Sequence, residues 1–414
     1  MTRSPLRYAV IAGSAAITAL FPAALPATAA TASAGPPVTR AGQPASPTAA
    51  GNNDFFNSDS CTSLTFCMAV GDFNSRRHTP ALSELLKAGH WVARPVPSPS
   101  HGRDVFANEV SCATPASCLF VGDHSASPQG AETNLAEAWN GSSWRIVTAA
   151  NPPGFTFSLL TDVACPTVSF CLAVGQAGSG RNGRDTAYTW KNGRTWRRIA
   201  VPEPRHSRSS ALSGLACFNA SNCLAVGNWR NPSGRELAFA ARWHDGHWKL
   251  LPARSIRGQR STNFQAVSCP AATRCIAVGN TEDRTRGAFF HAFAEVWSGG
   301  KWHISTLRRP PSLFLGVSCP AQNRCFASGY TFPSKGTFAH PLIETWNGRF
   351  WTTQHSVETT APRSGDILPH VSCVSPSHCE SVGYSFNPRV NNSDRTLAEW
   401  WNGHRWTVQT TANP

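Results

Sequence analysis

The sequence predicts an all-β protein built from seven copies of one four-stranded unit. One phrase, consisting of Cys, five residues, Cys, a short apolar run and Gly, occurs seven times at steps of 50 to 54 residues. Short runs rich in Val, Leu, Ile, Ala and aromatic residues follow each copy, bounded by Gly, Asn, Ser or Pro, which is typical of strands and turns. After the apolar run near the start of the chain, helical apolar spacing is nowhere sustained over ten residues. This period and copy number predict a seven-bladed β-propeller with four antiparallel strands per blade, labelled A to D from the axis outward.

The second copy illustrates the predicted strands. Val110 to Cys112 ends strand A, Cys118 to Gly122 begins strand B, Leu135 to Trp139 forms strand C, and Trp144 to Val147 forms strand D. The propeller is predicted over residues 54–414, with repeats that start near residues 54, 104, 157, 209, 262, 312 and 366.

The first 53 residues are predicted to lie outside the fold. Arg3 and Arg7 precede a short apolar run, and small residues follow it, which is typical of a secretory signal peptide over residues 1–29. The alternative cleavage positions are Ala29, Ala32 and Ala34. Residues 30–53 read as a flexible linker rich in Pro, Ala and Gly. We therefore expect a secreted, extracellular protein without a membrane span.

All 14 cysteines belong to the repeated phrase, and each has a partner six positions away. Five intervening residues suit a hairpin between strands A and B, and a secreted chain favours disulfides. Zinc binding is the alternative, but two thiolates without a second pair or a nearby His make a poor zinc site. The predicted bonds are Cys61–Cys67, Cys112–Cys118, Cys165–Cys171, Cys217–Cys223, Cys269–Cys275, Cys319–Cys325 and Cys373–Cys379.

A tryptophan pair flanks the turn between strands C and D in most copies. Either the indoles form a ring of sugar-stacking platforms or they pack between blades, and their regular repetition favours packing. A glutamate stands two residues before the first aromatic, or before Leu86 in the first copy, in five copies, and its regular placement favours a structural hydrogen bond over catalysis. The glutamates are Glu84, Glu137, Glu295, Glu344 and Glu399.

This pattern resembles kelch and Asp-box propeller repeats in its period and in its Gly-then-Trp punctuation, but it has neither the double glycine of the first nor the Asp box of the second. It is most similar to secreted bacterial seven-bladed β-propeller repeat proteins with one local disulfide per blade. The resemblance covers about residues 54 to 414. It implies a fold and carries almost no functional information, because propellers host lectins, enzymes and scaffolds alike.

The loops divide into a uniform face and a variable face. The A–B and C–D turns are short, whereas the B–C loops and D–A crossovers are long and different in every blade, so the second set is the better binding surface. Arginines collect there, and the formal net charge is +14. Since a positive surface concentrates anions, we expect an anionic extracellular ligand such as an acidic glycan or a cell-wall polymer. The alternative is a solvated surface in an arginine-rich protein.

Aromatic residues or His stand just after the strand-B glycine in five copies, at Phe73, His124, Trp229, Tyr330 and Tyr384. Such side chains either stack on a sugar ring or cap the apolar edge of the blade, and the sequence leaves both open. The predicted ligand-binding residues are Arg76, Arg181, Trp229, Arg230, Arg284, Tyr330 and Tyr384.

The functional prediction is a binding or adhesion module that recognises an extracellular glycan, cell-wall polymer or protein. A glycan-cleaving hydrolase or lyase is the alternative, because propeller enzymes take carboxylates from separate blades, here Asp123, Asp185 or Glu282. A docking scaffold is a third possibility. No local catalytic, dinucleotide or calcium motif is present, so we predict no catalytic residue, cofactor or metal ligand. We expect a monomer that binds no nucleic acid.

Overall fold

The computed structural model describes residues 53–413 except 75–77, 101, 103, 128–129, 148, 181, 252, 254, 257, 284–288, 308–310, 333–338, 358–364 and 388–393. Within these residues all regular structure is β, which confirms the predicted class, and no helix long and apolar enough to cross a membrane occurs there. The predicted signal peptide and the predicted linker up to residue 52 lie outside the described residues, as do Arg76, Arg181 and Arg284, whereas Asn53, predicted as the last linker residue, begins the first strand.

The described strands group in chain order into seven units of four. Unit 1 contains β1 (Asn53–Ser63), β2 (Phe66–Asn74), β3 (Ala81–Lys87) and β4 (His90–Ala93); unit 2 contains β5 (Asp104–Thr114), β6 (Ser117–Ser125), β7 (Thr133–Trp139) and β8 (Trp144–Ile146); unit 3 contains β9 (Phe157–Thr167), β10 (Phe170–Ser179), β11 (Asn182–Lys191) and β12 (Thr195–Ile199). Unit 4 contains β13 (Ser209–Asn219), β14 (Asn222–Arg230), β15 (Glu236–His244) and β16 (His247–Leu251); unit 5 contains β17 (Ser261–Ala271), β18 (Arg274–Glu282), β19 (Phe290–Ser298) and β20 (Lys301–Leu307). Unit 6 contains β21 (Ser312–Ala321), β22 (Arg324–Thr331), β23 (His340–Trp346) and β24 (Trp351–Gln354); unit 7 contains β25 (Gly365–Ser375), β26 (His378–Phe386), β27 (Arg395–Trp401) and β28 (Trp406–Gln409).

Within each unit, consecutive strands pair antiparallel. The units form six sheets, because one parallel pair, Glu236 with Ser261, joins units 4 and 5 into a single eight-stranded sheet. The second strands are extensively buried, as in β6, where Leu119, Phe120 and Val121 are buried.

The glycine of the repeated phrase allows the first two strands to approach closely. A Cβ atom on Gly227 would lie 2.0 Å from the carbonyl oxygen of Ala211, and the corresponding glycines of the other units show the same conflict. A register shift lies beside this contact in all seven units, for example between Leu212 and Gly214. Such bulges re-aim the side chains of a strand.

The seven predicted disulfides all form, and each joins the first two strands of its unit. Their Cα atoms lie 3.9 to 4.1 Å apart. The local pairing predicted from the spacing is therefore confirmed, and no free cysteine remains among the described residues.

A serine before the first cysteine links neighbouring units. The amide N–H of Cys112 donates to Ser60 Oγ of the preceding unit at 3.0 Å, and four further seams use the same bond. One of these four joins the two ends of the chain, since the Cys61 amide donates to Ser372 Oγ at 3.0 Å. The last unit therefore contacts the first in the same way that sequential neighbours contact each other.

The tryptophan pairs are packing elements. In units 2, 4 and 7 the first indole bonds within its own unit, as when Trp139 Nε1 donates to the Pro115 carbonyl at 3.1 Å. In units 2, 3 and 6 the second indole bonds to the preceding unit, as when Trp144 Nε1 donates to Ser83 Oγ at 3.0 Å. Trp139 and Trp144 are both buried. Burial of the indoles between units explains why the motif recurs in most copies.

The recurring glutamates are buried at the same seams. Glu84 Oε2 accepts the Ala412 amide at 2.9 Å, and Glu399 Oε2 accepts the Val357 amide at 3.4 Å, which confirms the predicted structural hydrogen bond at these two positions. Glu137 is also fully buried, but neither of its carboxyl oxygens has a hydrogen-bond partner in the described part of the chain.

Candidate functional site

The predicted ligand residues that the structure describes lie at the ends of second strands. Trp229 and Arg230 end β14, Tyr330 lies in β22, and Tyr384 lies in β26. They occupy two registers, since the tyrosines directly follow the glycine whereas Trp229 is the second residue after it. Successive strand residues point to opposite faces, so these aromatic side chains do not form one ring.

The predicted aromatic residues pack against protein. Trp229 contacts the apolar core between units 3 and 4. Tyr330 is buried and meets Phe332 edge-on at 5.0 Å, and Tyr384 meets Phe55 edge-on at 4.9 Å. Burial raises the pKa of Tyr330 to about 12, so its phenol is neutral at neutral pH. These contacts favour the capping role over sugar stacking.

Several described arginines of the variable face have acidic partners. Arg230 Nη2 lies 2.7 Å from Glu236 Oε1, directly across the β14–β15 hairpin. Arg260 Nη1 lies 3.2 Å from Glu282 Oε1, and Arg184 is paired with Glu203. Each pair cancels a charge, so the described part of this face attracts anions less than the sequence predicted.

A cavity of about 580 Å³ lies elsewhere, at the outer rim between units 2 and 3. We call it the first groove. Its walls include the exposed cations Arg145, Arg194 and Arg198, and its floor includes Tyr188 and Trp196. Its full lining also contains Ile146, Val147, Ala150, Asn151, Pro152, Pro153, Trp190 and Thr195. A volume of this size is typical of small-molecule sites.

A second groove of about 390 Å³ lies on the other side of β12, between units 3 and 4. Its lining includes Lys191, Arg197, Arg198, Trp243 and Trp248. The alternation of side chains along a strand explains the division. On β12, Trp196 lines the first groove together with Tyr188, and Arg197 lines the second. Arg198 lines both grooves.

The two grooves are positively charged. Among the described residues that line them, five are Arg or Lys and none is acidic. Polar groups of the floor are already satisfied, since the Tyr188 hydroxyl donates to the Ala150 carbonyl at 3.0 Å and Trp196 Nε1 donates to the Val147 carbonyl at 3.1 Å. The grooves thus combine fixed aromatic surfaces with exposed cations, of which Arg145 also donates from Nη2 to the Gly193 carbonyl at 2.9 Å.

One feature of the sequence could have predicted this site, and it lies on the fourth strand rather than in the variable loops. Unit 3 carries Trp196-Arg197-Arg198 on its outermost strand. Units 6 and 7 carry Trp-Thr-Thr and Trp-Thr-Val at the same place, at residues 351–353 and 406–408. A residue-by-residue comparison of the fourth strands therefore distinguishes unit 3.

A polar cluster lies on the innermost strands, where four units contribute side chains. Ser58, Glu109, Asp162 and His370 each stand three residues before the first cysteine of units 1, 2, 3 and 7, and the same position in units 4, 5 and 6 holds Gly214, Ala266 and Gly316. His370 Nδ1 lies 2.8 Å from Asp59 Oδ1, and His370 Nε2 lies 3.3 Å from Glu109 Oε1. His370 of unit 7 therefore contacts residues of both unit 1 and unit 2, so the first strands of these three units converge at this point.

Charge coupling shifts the pKa values in this cluster. Burial lowers the pKa of His370, but the carboxylates of Glu109 and Asp59 outweigh that effect and hold it well above its usual value. Burial and the neighbouring Glu109 carboxylate raise the pKa of Asp162, although its Oδ2 accepts the Leu215 amide at 2.6 Å. No group of three or more His, Cys, Asp and Glu residues in the described part of the chain has metal-binding geometry.

The carboxylates considered from sequence as catalytic are dispersed. Asp123 is buried and accepts a long 3.4 Å bond from Asn108, and Glu282 is paired with Arg260. Asp185 lies at the seam of units 3 and 4, where burial raises its pKa to about 7. The structure brings together a different acidic set, Asp59, Glu109 and Asp162.

Comparison with known proteins gives the fold. No protein-family model and no curated protein matches the chain. An ulvan lyase structure matches with a TM-score of 0.51 and 10% identity over 82% of this chain and 91% of that one. The β-propeller domain of the Trilobed protease from Pyrococcus furiosus matches with a TM-score of 0.50 and 10% identity over 88% and 99%. The chain has a β-propeller fold.

A xyloglucanase from Xanthomonas campestris also matches, with a TM-score of 0.55 and 10% identity over 87% of this chain but only 55% of that one. At such low identities these likenesses concern the fold alone.

Proposed function

We propose that the seven units are the blades of one closed propeller. The support is the seam between units 7 and 1, where the Cys61 amide bonds to Ser372 as the Cys373 amide bonds to Ser318. Trp91 Nε1 also donates to Gln409 Oε1 at 2.8 Å across this seam. Each blade consists of its own four consecutive strands, so packing of whole blades closes the ring. We also propose that the chain is related to the secreted bacterial disulfide-repeat propellers that its sequence resembles, with one local disulfide in each unit as the support.

The protein is proposed to be a secreted module that binds an extracellular anionic glycan or cell-wall polymer. The first groove supports this function, because cations surround an aromatic floor and none of the described residues that line the groove is acidic. Arginine suits carboxylate and sulfate geometry, and the rigid aromatic residues offer apolar surface to the C–H faces of sugar rings. Seven disulfides and the predicted signal peptide support the extracellular location.

Retention of the mature protein on immobilised polygalacturonate tests this function. Retention should weaken as salt rises, because screening acts on exposed charges. The variant R145T/R198T replaces two groove arginines with residues that unit 6 has at the same strand positions, Thr352 and Thr353. It should elute at clearly lower salt than the wild type.

The matched control is R349T/R405T, which removes two exposed arginines from the hairpins of units 6 and 7, away from both grooves. It should elute close to the wild type. Equal loss in the two variants would mean that net charge alone causes retention, and absence of retention on polygalacturonate, dextran sulfate and isolated cell wall would refute the function.

Glycan cleavage is the second candidate, favoured by the cluster of Asp59, Glu109, Asp162 and His370. Carboxylates from separate blades that surround an imidazole provide a proton donor and a proton acceptor. The test is release of reducing ends or unsaturated uronates from polyuronates. Activity that E109Q and D162N abolish without loss of folding would establish an enzyme, whereas activity equal in all forms would indicate a contaminant.

A further inference from the structure

We infer that the two grooves form one continuous site for an extended polyanionic chain, which crosses over the edge strand β12. This inference rests on the proposed glycan-binding function and adds the class and length of the ligand. The grooves lie on opposite sides of the same strand, and Arg198 lines both of them.

The cations are distributed along the whole crossing. Arg145 and Arg194 stand in the first groove only, and Lys191 and Arg197 stand in the second only. All four are exposed. A ligand confined to one groove would leave half of these charges unused, whereas a linear polymer with one charge per sugar or disaccharide meets them in sequence. Such a polymer is a polyuronate or a sulfated polysaccharide.

The outer edge of β12 adds polar groups between the grooves. In the described part of the chain β12 pairs with β11 and with no other strand, so backbone N–H and C=O groups of its outer edge remain available. An N–H group on this edge would donate to a carboxylate, a sulfate or a sugar hydroxyl. The strand is thus a contact surface as well as a partition.

Protection of an exposed edge is the competing explanation of these charges, because charged side chains prevent edge strands from pairing with other chains. The other blades argue against a general need for it. The edge strands β24 and β28 have Thr352, Thr353, Thr407 and Val408 at or beside the equivalent positions, without any charge. The strands β8 and β16 have one cation each after the tryptophan, Arg145 and Lys249. Two consecutive arginines on this edge are therefore particular to unit 3.

The test measures how the affinity for an anionic oligosaccharide depends on its length, with and without the cations of the second groove. Oligogalacturonates of two, four and ten sugars are titrated into the mature protein, with dextran sulfate as the sulfated arm and neutral dextran as the uncharged arm. The variant K191N/R197T changes only the second groove. Its Asn is the residue that follows the first tryptophan in units 6 and 7, at Asn347 and Asn402. Its Thr is the residue that follows the second tryptophan in the same units, at Thr352 and Thr407. R349T/R405T is again the charge-matched control.

We expect the decamer to bind the wild type at least tenfold more tightly than the dimer. K191N/R197T should lose most of this gain and bind the dimer within twofold of the wild type. The control should keep the gain. The preferred anion, carboxylate or sulfate, is given by which arm binds more tightly.

Equal affinity for dimer and decamer in the wild type would overturn the continuous site, while leaving a single-groove glycan module. A loss in K191N/R197T of the same factor at every length would also overturn it, because the second groove would then act only through net charge. Absence of binding at all lengths would overturn the proposed function itself, and this inference with it.

Discussion

Replacement of Glu137 by Gln should make the protein more stable at neutral pH and should remove part of the pH dependence of its stability. Glu137 is fully buried on β7, and its two carboxyl oxygens have no hydrogen-bond partner in the described structure. Burial raises its pKa from 4.5 to about 8. The folded protein therefore holds a proton at pH 7 that the unfolded chain releases.

The linkage between proton binding and folding gives the sign and the size of this effect on the free energy of unfolding. Because the folded state binds the extra proton, the free energy of unfolding falls as pH rises from about 4.5 to about 8. At roughly 1.4 kcal/mol per pH unit, this group costs about 3 kcal/mol at pH 7 and at most about 5 kcal/mol above pH 8. Gln has the shape of the protonated acid and does not titrate, so E137Q avoids this cost.

The measurement is guanidinium denaturation of wild type and E137Q from pH 4 to pH 9, followed by tryptophan fluorescence with the disulfides intact. The free energies of unfolding should agree to about 1 kcal/mol at pH 4, and the variant should become more stable as pH rises. Other buried carboxyls with raised pKa values, such as Glu399, titrate in both proteins and cancel in the difference. If the free energies of unfolding of the two proteins changed in parallel with pH, or if E137Q were less stable than the wild type at pH 8, the raised pKa of Glu137 would be contradicted.

Three further variants examine the repeated framework, with thermal or chemical denaturation as the measurement. Gly227→Ala should destabilise strongly, by about 3 kcal/mol or more, because its Cβ would lie 2.0 Å from the Ala211 carbonyl oxygen, and a loss under 1 kcal/mol would contradict that contact. Joint replacement of Cys165 and Cys171 by Ser should cost about 2 kcal/mol, since the closed loop is short, and a much larger loss would mean that the bond does more than restrict the unfolded chain. Ser372→Ala should cost about 1 kcal/mol, close to the cost of the equivalent change at an internal seam, and no loss at all would argue against the closing bond.

The framework was predictable because every unit repeats the same physical requirement. The cysteine spacing and the strand-B glycine make the same contact in all seven units, and the Trp pair flanks the same hairpin in six of them. Their regular recurrence in the sequence therefore indicates their structural role. The serine before Cys61 and its equivalents follow the same logic and could have been read as a seam element.

The polar cluster was not predictable, because its members differ from unit to unit. His370 and Asp59 are 311 residues apart in sequence and meet only where the last unit contacts the first. No local motif connects them. The repeat position of His370 holds Gly, Ala, Ser or an acid in the other units, and the repeat position of Asp59 holds Val or Leu.

The excess of arginine predicted an anionic ligand. The location followed from where arginines are most numerous in the sequence, which does not show which of them have acidic partners. Arg230 and Glu236 stand six residues apart on either side of a hairpin, and the register of β14 and β15 brings them together. The arginines of β12 lack such neighbours among the groove residues, which only the three-dimensional arrangement of units 2, 3 and 4 shows.

Amide hydrogen exchange of the mature protein, with and without a saturating galacturonate decamer, tests the location of binding most directly. We expect protection concentrated in residues 144–153 and 188–200, around β8, the hairpin of unit 3 and β12, and extending to residues 243–248. Protection confined to the loops between second and third strands, or to the innermost strands that hold Glu109 and His370, would contradict it.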